Sequence, residues 1–343
     1  MNILVVDYLS PAGHKNFDHI HIKALSDLGH NLHLVGRHNQ FGIKDGTCFH
    51  ETTSIPEWTF TPLPFKPLSG RIMGILRLNW IINHVRTDQY DAIVLLSYDV
   101  LSLFPFRFRF KKKVFMINHN NVLQNVNSQF KLKITRLLPQ NYIHVVLNEL
   151  MEKEMCRMLP GKKVVHIPHG LIFNESKTRK PSFLDDCEKF VFCPVNRNFD
   201  SSLLHYILSS RLVIDYLETN NIVLYLKKII EITTESKSIR CLPSFLTTEE
   251  YYYMIDNAIA IVLPYGQSFK YRCSGIFFEC VARDAKVVAT KIPDMEVYRD
   301  LAKILFFEDE ESFEKCLRQI EFMDENIDKE AFNPKRYWSE VLK

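Results

Sequence analysis

The chain has 343 residues, of which 46% are hydrophobic and 24% charged, a composition that is typical of folded proteins and excludes a disordered chain. One hydrophobic core rarely spans this length, so we expect two domains. The 43 lysines and arginines nearly balance the 40 acidic residues, and this balance does not predict nucleic-acid binding. Only 11 residues are glycine, so glycines at junctions between loops and helices are informative.

The start of the chain predicts a strand rather than a targeting signal, because its apolar run lacks a basic flank and breaks at Asp7. No apolar stretch approaches the roughly 20 residues that cross a bilayer. The eight cysteines are scattered without a C-x-x-C pair, which predicts reduced thiols, neither zinc nor disulfides, and a cytoplasmic protein.

The first half of the chain alternates strand-like and helix-like segments, which favours a parallel sheet built from βαβ units. A helix is predicted at residues 17–28 with Gly29 as its stop. Another begins at Glu149, with Asn148 as its N-cap. Strands are predicted at residues 3–8, 32–35, 92–96, 114–117, 143–147 and 164–167. We expect a first α/β domain at residues 1–173.

The same alternation restarts after a polar segment at residues 174–189, which we interpret as a linker. One helix is predicted to begin at Gly275, and an earlier helix is predicted to have Thr247 or Thr248 as its N-cap. The other predicted elements are strands at 190–195, 222–226, 239–242, 258–263 and 286–290 and helices at 202–218, 247–256 and 312–323. We expect a second α/β domain at residues 190–332, followed by a terminal segment at 333–343.

The most informative junction joins the strand that ends at Pro264 to the helix that starts at Ser274 and Gly275. Ligands of open parallel sheets bind beyond the carboxyl ends of strands, and the amides of a helix N-terminus suit a phosphate. Gly275 lets a ligand approach the backbone, Ser274 offers a hydroxyl, and Arg272 or Lys270 offsets phosphate charge.

Glu279 lies one turn further into this helix, within reach of a ribose or sugar hydroxyl. A purely structural interpretation is equally open: Ser274 caps the helix, Gly275 serves packing, and Glu279 lies on a helix face.

Residues 279–290, ECVARDAKVVAT, resemble the signature near the C-terminus of GT-B glycosyltransferases, where a glutamate-headed helix, a tight turn and a strand bind the nucleotide-sugar donor. Residues 271–275, YRCSG, resemble a variant found in bacterial polysaccharide glycosyltransferases of the retaining type. The resemblance implies that the Ser-Gly pair holds the donor diphosphate through backbone amides.

Further segments are similar to the same family at 146–149, 165–171, 246–264 and 333–342. The resemblance implies an α/β fold of two Rossmann-like domains facing a central cleft, with a C-terminal helix that crosses back to the N-terminal domain. It also implies donor binding by six residues: Arg197, Tyr271, Arg272, Ser274, Gly275 and Glu279.

Two departures from the family pattern concern the donor contacts. The first glutamate of the usual Glu-x7-Glu motif is replaced by Tyr271, so only Glu279 remains. The arginine and lysine that grip the diphosphate are represented by Arg197 alone, with Arg272 or Lys270 as a substitute for the lysine.

The resemblance places the acceptor on the first domain. Residues 10–16 correspond to the family's glycine-rich loop, with Gly13 and His14, and Asp18 follows at the helix start. His119 follows a strand where the family often has a histidine near the sugar, a position suited to proton transfer. A hydrogen bond that only stabilises the loop is the alternative role for His119.

One segment interleaves cations with aromatic residues: Arg107, Arg109, Lys111, Lys112 and Lys113. It fits either a solvated loop or a contact with an anionic membrane surface. No nucleic-acid motif accompanies it, so we expect no nucleic-acid partner.

The sequence thus predicts a cytoplasmic enzyme. If the cationic segment contacts lipid, the enzyme is a peripheral protein of the inner face of the membrane. It is expected to move a sugar from a nucleoside-diphosphate donor to a glycan or lipid-linked acceptor, with His119 and Glu279 as catalytic residues. No Asp-x-Asp pair, Walker A loop or G-x-G-x-x-G motif occurs, so no metal or other cofactor is expected. A nucleotide-sugar epimerase or hydrolase and a non-catalytic binding subunit are the alternatives.

Overall fold

The computed structural model describes residues 1–10, 14–41, 51–61, 66–173, 177–185, 189–194, 199–227, 236–242, 245–323 and 327–343. The chain divides into two compact units. The first comprises Met1–Gly170 and Phe332–Lys343, and the second comprises Leu171–Ala331.

The first unit contains a parallel sheet in which the described strands follow the order β3-β2-β1-β4-β5-β6-β7. The strands are β1 (Asn2–Asp7), β2 (Asn31–Gly36), β3 (Glu51–Ser54), β4 (Ala92–Ser97), β5 (Lys113–Ile117), β6 (Tyr142–Val146) and β7 (Val164–His166). The helices are α1 (Lys15–Ser26), α2 (Lys66–His84), α3 (Val100–Leu103), α4 (Asn121–Asn127), α5 (Gln129–Arg136) and α6 (Glu149–Met158).

The second unit contains a parallel sheet with the described order β10-β9-β8-β11-β12-β13. The strands are β8 (Lys189–Cys193), β9 (Ile222–Leu226), β10 (Ile239–Cys241), β11 (Ala260–Leu263), β12 (Val287–Thr290) and β13 (Ile304–Phe307). The helices are α7 (Ser201–Ser209), α8 (Arg211–Thr219), α9 (Thr248–Asn257), α10 (Gly275–Ala282), α11 (Pro293–Glu296) and α12 (Glu310–Ile320).

Both sheets contain fully buried strands, and the strand order of each sheet reverses in its middle. Every residue of β4, β6 and β11 is buried, as expected of parallel strands covered by helices on both faces. The strand order reverses between β1 and β4 in the first sheet and between β8 and β11 in the second. This order is that of a Rossmann-like domain, so the prediction of two such domains is confirmed.

The last helix, α13 (Pro334–Val341), belongs to the first unit although it follows the second in sequence. Asn333 caps it by accepting a hydrogen bond from Lys335 N. Trp338 is fully buried, and its Nε1–H donates to Nδ1 of His21 in α1 at 3.1 Å. The prediction that a C-terminal helix crosses back to the N-terminal domain is therefore confirmed.

The prediction of one helix at residues 202–218 is wrong in one respect, because this segment forms two helices, α7 and α8. Ser210 lies between α7 and α8 with an extended backbone (ψ 123°). The Ser209 hydroxyl donates to the main-chain oxygens of His205 and Tyr206. Serine hydroxyls compete for backbone partners in this way, which favours helix ends over helix interiors.

Candidate functional site

The reversal point of the second sheet lies between β8 and β11, and ligands of open α/β sheets bind at such a point. The segments that follow these two strands are tied together. Phe199 pairs with Tyr265 in an antiparallel bridge, and Asp200 N donates to Pro264 O at 2.8 Å. Arg197, predicted to bind the donor, lies outside the described residues, just before this paired segment.

The loop between β11 and α10 is anchored by Tyr265. Its ring stacks on Phe269 with centroids 4.0 Å apart, and its hydroxyl lies 2.6 Å from Ser274 Oγ. Thr290 Oγ1, at the end of β12, donates to Tyr265 O at 2.6 Å. The start of α10 is thereby held at the carboxyl edge of the sheet.

Ser274 is the N-cap of α10. It is buried, and its Oγ accepts the amide of Phe277 at 3.1 Å. The first amides of a helix have no partner within the helix. With the amide of Phe277 capped, those of Gly275 and Ile276 remain as the main-chain donors at this end.

Gly275 is not required by the local fold. A Cβ at this position would have one neighbour within 4 Å, Ile172 Cδ1 at 3.9 Å, which is an ordinary contact. The absence of a side chain instead leaves the amides at the start of α10 open to approach.

Tyr271, three residues before Ser274, is buried, and its backbone lies in the left-handed region (φ 55°). The Nζ of Lys270 lies 5.0 Å from the centroid of the Tyr271 ring. The main-chain amide of Arg272 donates to Asp294 Oδ1 at 3.2 Å. Burial raises the pKa of Asp294 to about 6. Asp294, which sequence reasoning missed, therefore fixes the loop on which Tyr271 and Arg272 lie.

Glu279 points to two tyrosines of α9 that sequence reasoning also missed. The Tyr251 hydroxyl donates to Oε2 at 2.8 Å, and the Tyr252 hydroxyl donates to Oε1 at 3.4 Å. Burial raises the pKa of Glu279, and the two hydroxyls oppose the rise. The carboxylate is thus held in one orientation by neutral donors.

Lys227 is a third residue that sequence reasoning missed. It directly follows β9, the neighbour of β8 in the sheet. Burial lowers the pKa of Lys227, and the negative charge of Glu279 raises it. A cation therefore lies near Glu279 at the carboxyl edge of this sheet. The family pattern instead has a lysine shortly after the position of Arg197 in sequence.

In the first unit, the loop after β1 contains Gly13, which lies outside the described residues, and leads to His14 and Asp18. Asp18 is fully buried, and its Oδ2 accepts from Gln40 Nε2 at 3.1 Å. Gln40 also donates to Asp7 Oδ2 at 2.9 Å. Burial, and then the charge of Asp7, raise the pKa of Asp18 to about 9. Burial beside Asp7 therefore favours the neutral form of the Asp18 carboxyl.

Four histidines of the first unit surround the buried ring of Phe17. The centroids of His21, His119 and His169 lie 4.5, 4.2 and 4.8 Å from it, and His14 lies 4.3 Å from His119. Burial, and then the neighbouring imidazoles, lower the pKa of His119 well below its ordinary value. Burial therefore favours the neutral imidazole, and its buried Nε2 has no hydrogen-bond partner in the structure.

Among the residues described, no three histidine, cysteine or acidic side chains are arranged to hold a metal ion. The cationic segment contains Arg107, Arg109, Lys111, Lys112 and Lys113, and it runs from the end of a 3-10 turn (Phe104–Phe106) to the first residue of β5 in the first unit.

No protein-family profile and no curated protein sequence matches the chain. Solved structures do match over its full length. The UDP-GlcNAc 2-epimerase from Methanocaldococcus jannaschii is similar with a TM-score of 0.63 and 11% identity, covering 99% of both chains. Anabaena HepE in complex with UDP-glucose is similar with a TM-score of 0.55 and 11% identity, covering 100% of this chain and 94% of that one.

The glycotransferase of kitacinnamycin is similar with a TM-score of 0.52 and 13% identity, covering 99% of this chain and 94% of that one. Identities this low establish the fold alone. The predicted resemblance to GT-B glycosyltransferases is confirmed at that level.

Proposed function

We propose that this chain, with its GT-B fold, is a glycosyltransferase that takes a sugar from a nucleoside-diphosphate donor. The observation that carries the proposal is the open N-terminus of α10, which follows β11 at the reversal point of the second sheet. Main-chain amides and the helix dipole favour a diphosphate there. A structure of the same fold holds UDP-glucose, which supports a nucleotide-sugar as the ligand.

In this proposal the amides of Gly275 and Ile276 bind the diphosphate. Arg197, Arg272 and Lys227 offset its charge, as cations do when they stabilise a leaving phosphate. Ser274 acts through the helix cap, because its hydroxyl already accepts the Phe277 amide.

The remaining donor contacts are assigned to Glu279 and Tyr271. Glu279 is held by two tyrosine hydroxyls, and it accepts hydrogen bonds from the sugar or ribose. Tyr271, which replaces a glutamate of the family motif, supports the loop through its buried ring rather than contacting the sugar as an anion.

The acceptor is proposed to be a glycan or a lipid-linked molecule, bound on the first unit by the loop containing Gly13 and His14. Neutral His119 accepts a proton from a hydroxyl group there. Asp18 supports this region by its contact with Gln40. We further propose that transfer needs no metal ion and retains the configuration of the sugar.

Gly275→Ala tests the donor site directly. The added methyl group meets no close neighbour in the protein, so folding is unaffected, whereas a diphosphate on the amides is displaced. We expect the affinity for the nucleoside diphosphate, measured by calorimetry, to fall at least tenfold. Gly70→Ala, which adds a methyl group to open space in α2, is the matched control. Equal affinity of Gly275→Ala and the control for the nucleoside diphosphate would show that the donor does not bind at the start of α10.

The epimerase structure with the same fold supports one alternative, conversion of a nucleotide-sugar without an acceptor. Product analysis separates the two reactions. The proposed transferase leaves the donor sugar unchanged until an acceptor is supplied, whereas an epimerase produces a second nucleotide-sugar from the first.

A further inference from the structure

Positive charge is concentrated in one part of a nearly neutral chain. Residues 100–148 contain eight lysines and arginines and no acidic residue, whereas the whole chain carries a net charge of +3. All eight lie in the first unit, either on α5 or between the end of the 3-10 turn and the first residue of β5. A field of one sign over one part of the surface selects an anionic partner.

The outward side of α5 combines cations with exposed apolar residues. Phe130 and Leu137 are 63% and 61% exposed, and Lys133 lies exposed between them. These positions are three to four residues apart, so they share one side of the helix. The opposite side is buried through Leu132 and Thr135. Large exposed apolar side chains beside a lysine indicate a surface that binds a membrane or another macromolecule.

The segment between the 3-10 turn and β5 has the same character. Phe108 is 69% exposed, and the Arg107 guanidinium lies 4.4 Å from its ring centroid. Asn141, five residues after the end of α5, donates to the main-chain oxygens of Phe110 and Lys112 at 2.9 and 2.6 Å. The segment is therefore fixed beside the end of α5.

Helix α2 extends this surface. Its residues Leu68, Arg71 and Ile72 are exposed, and they are spaced to lie on one side of the helix. Burial lowers the pKa of Lys131 in α5, and the nearby charge of Arg71 lowers it further. Helices α2 and α5 both contact α3, which brings α2 close to α5.

One core cluster joins these elements. It contains residues of α2 and α3, while Ile134 of α5 and Phe104 and Phe106 of the 3-10 turn pack against it. They therefore cover the same side of the first sheet. The outward sides of α2, α5 and residues 107–113 together form what we call the cationic face.

We propose that the cationic face binds the surface of an anionic phospholipid bilayer. Lysine and arginine attract anionic headgroups, and exposed aromatic and aliphatic side chains enter the interface. A nucleic acid would use the same cations, but it would leave Phe130, Leu137, Leu68 and Ile72 without a contact of their own. No helix in the described ranges is long and apolar enough to span a bilayer.

The proposal rests on this surface and not on the proposed transfer reaction. In a membrane-bound transferase, it would bring the first unit to a lipid-linked acceptor. Because vesicle binding is measured without donor or acceptor, its failure and a failure of the proposed function are distinguishable.

The test is co-sedimentation of the full chain with vesicles of phosphatidylcholine alone, or of phosphatidylcholine with about a third phosphatidylglycerol. We expect binding to the anionic vesicles only. Binding should weaken as salt rises from about 0.05 M to about 0.5 M, because screening shortens the reach of surface charges. Equal binding to both vesicles, or binding to neither, would overturn the proposal.

Two variants locate the surface. The first variant is Phe130→Ser with Lys133→Glu, and the second is Lys111→Glu with Lys112→Glu. Each should lower the vesicle partition coefficient at least tenfold, because the loss of one cation near an anionic membrane already weakens binding about fivefold. Lys315→Glu with Phe322→Ser is the control, because Lys315 and Phe322 are an exposed cation and an exposed aromatic of the second unit. Its binding should equal that of the wild type.

Three results would contradict the assignment. One is a loss in the control equal to that in the variants. Another is unchanged binding in both variants whose thermal melts match the wild type. The third is tighter binding to single- or double-stranded oligonucleotides than to anionic vesicles at the same salt, which would identify a nucleic-acid surface.

Discussion

At the scale of single residues, the two oxygens of the buried Asp294 carboxyl group differ. Oδ1 accepts the Arg272 amide, while Oδ2 is buried without a hydrogen-bond partner in the structure. Burial raises the pKa of Asp294 to about 6, above the ordinary value of an unfolded aspartate. Folding therefore favours the neutral carboxyl. This stabilisation is complete below about pH 4 and is lost as the pH rises through about 6.

Asp294→Asn removes this titration while keeping an oxygen for the Arg272 amide. Relative to the variant, we expect the wild type to lose about 2 kcal/mol of unfolding free energy between pH 4.5 and pH 8. Urea melts at both pH values measure the difference. Asp300→Asn, at an exposed aspartate, is the control and should show no such change. A stability difference between Asp294→Asn and wild type that is the same at both pH values would contradict the assignment.

Residues that local sequence signals mark were predictable, and residues placed by strand pairing were not. The start of α10 at Ser274 and Gly275 was predicted correctly, because a serine and glycine before an apolar run mark a helix start. Lys227 was missed because it is distant from Arg197 in sequence. It lies near Glu279 only because it directly follows β9, which pairs with β8, and β8 in turn pairs with β11. Asp294, in α11, was missed for the same reason.

At the scale of elements, the predictions succeeded where capping and periodicity agreed. Helix α9 begins after Thr247, whose side chain and that of Glu250 form a reciprocal capping box. Strand β3 was not predicted, because its residues, ETTS, are mostly exposed at the edge of the sheet and give no apolar run. The break at Ser210 was missed because the apolar spacing continues from α7 into α8.

The attachment of α13 to the first unit depends on Trp338. Trp338→Phe removes the donor to His21 Nδ1 and leaves a small space in the core. We expect a loss of about 2 kcal/mol in unfolding free energy, measured by urea denaturation. Tyr337→Phe, one position away, keeps the ring that lies 5.4 Å from His166 and should cost much less. Equal losses in the two variants would show that the indole contact does not anchor the helix.

At the scale of the whole molecule, two sheets of Rossmann-like order account for the fold, and only part of this order was predictable. Alternating strands and helices predicted two α/β domains with parallel sheets. The order of strands within each sheet depends on pairing between distant segments, which the periodicity of a single sequence does not contain. The resemblance to GT-B glycosyltransferases implied two Rossmann-like domains, and the strand orders of the two sheets confirm that implication.

The central claim is that the chain binds a nucleotide-sugar through its second unit, without a metal ion. A thermal-shift panel of UDP-, GDP-, ADP- and CMP-linked sugars, with EDTA present, tests it most directly. A ligand that binds only the folded chain at about one hundred times its Kd stabilises it by about 2.7 kcal/mol. We predict a clear rise in melting temperature with sugars linked to one of these nucleotides, and a smaller rise in Gly275→Ala. The absence of a shift with every nucleotide-sugar, with or without EDTA, would contradict the claim.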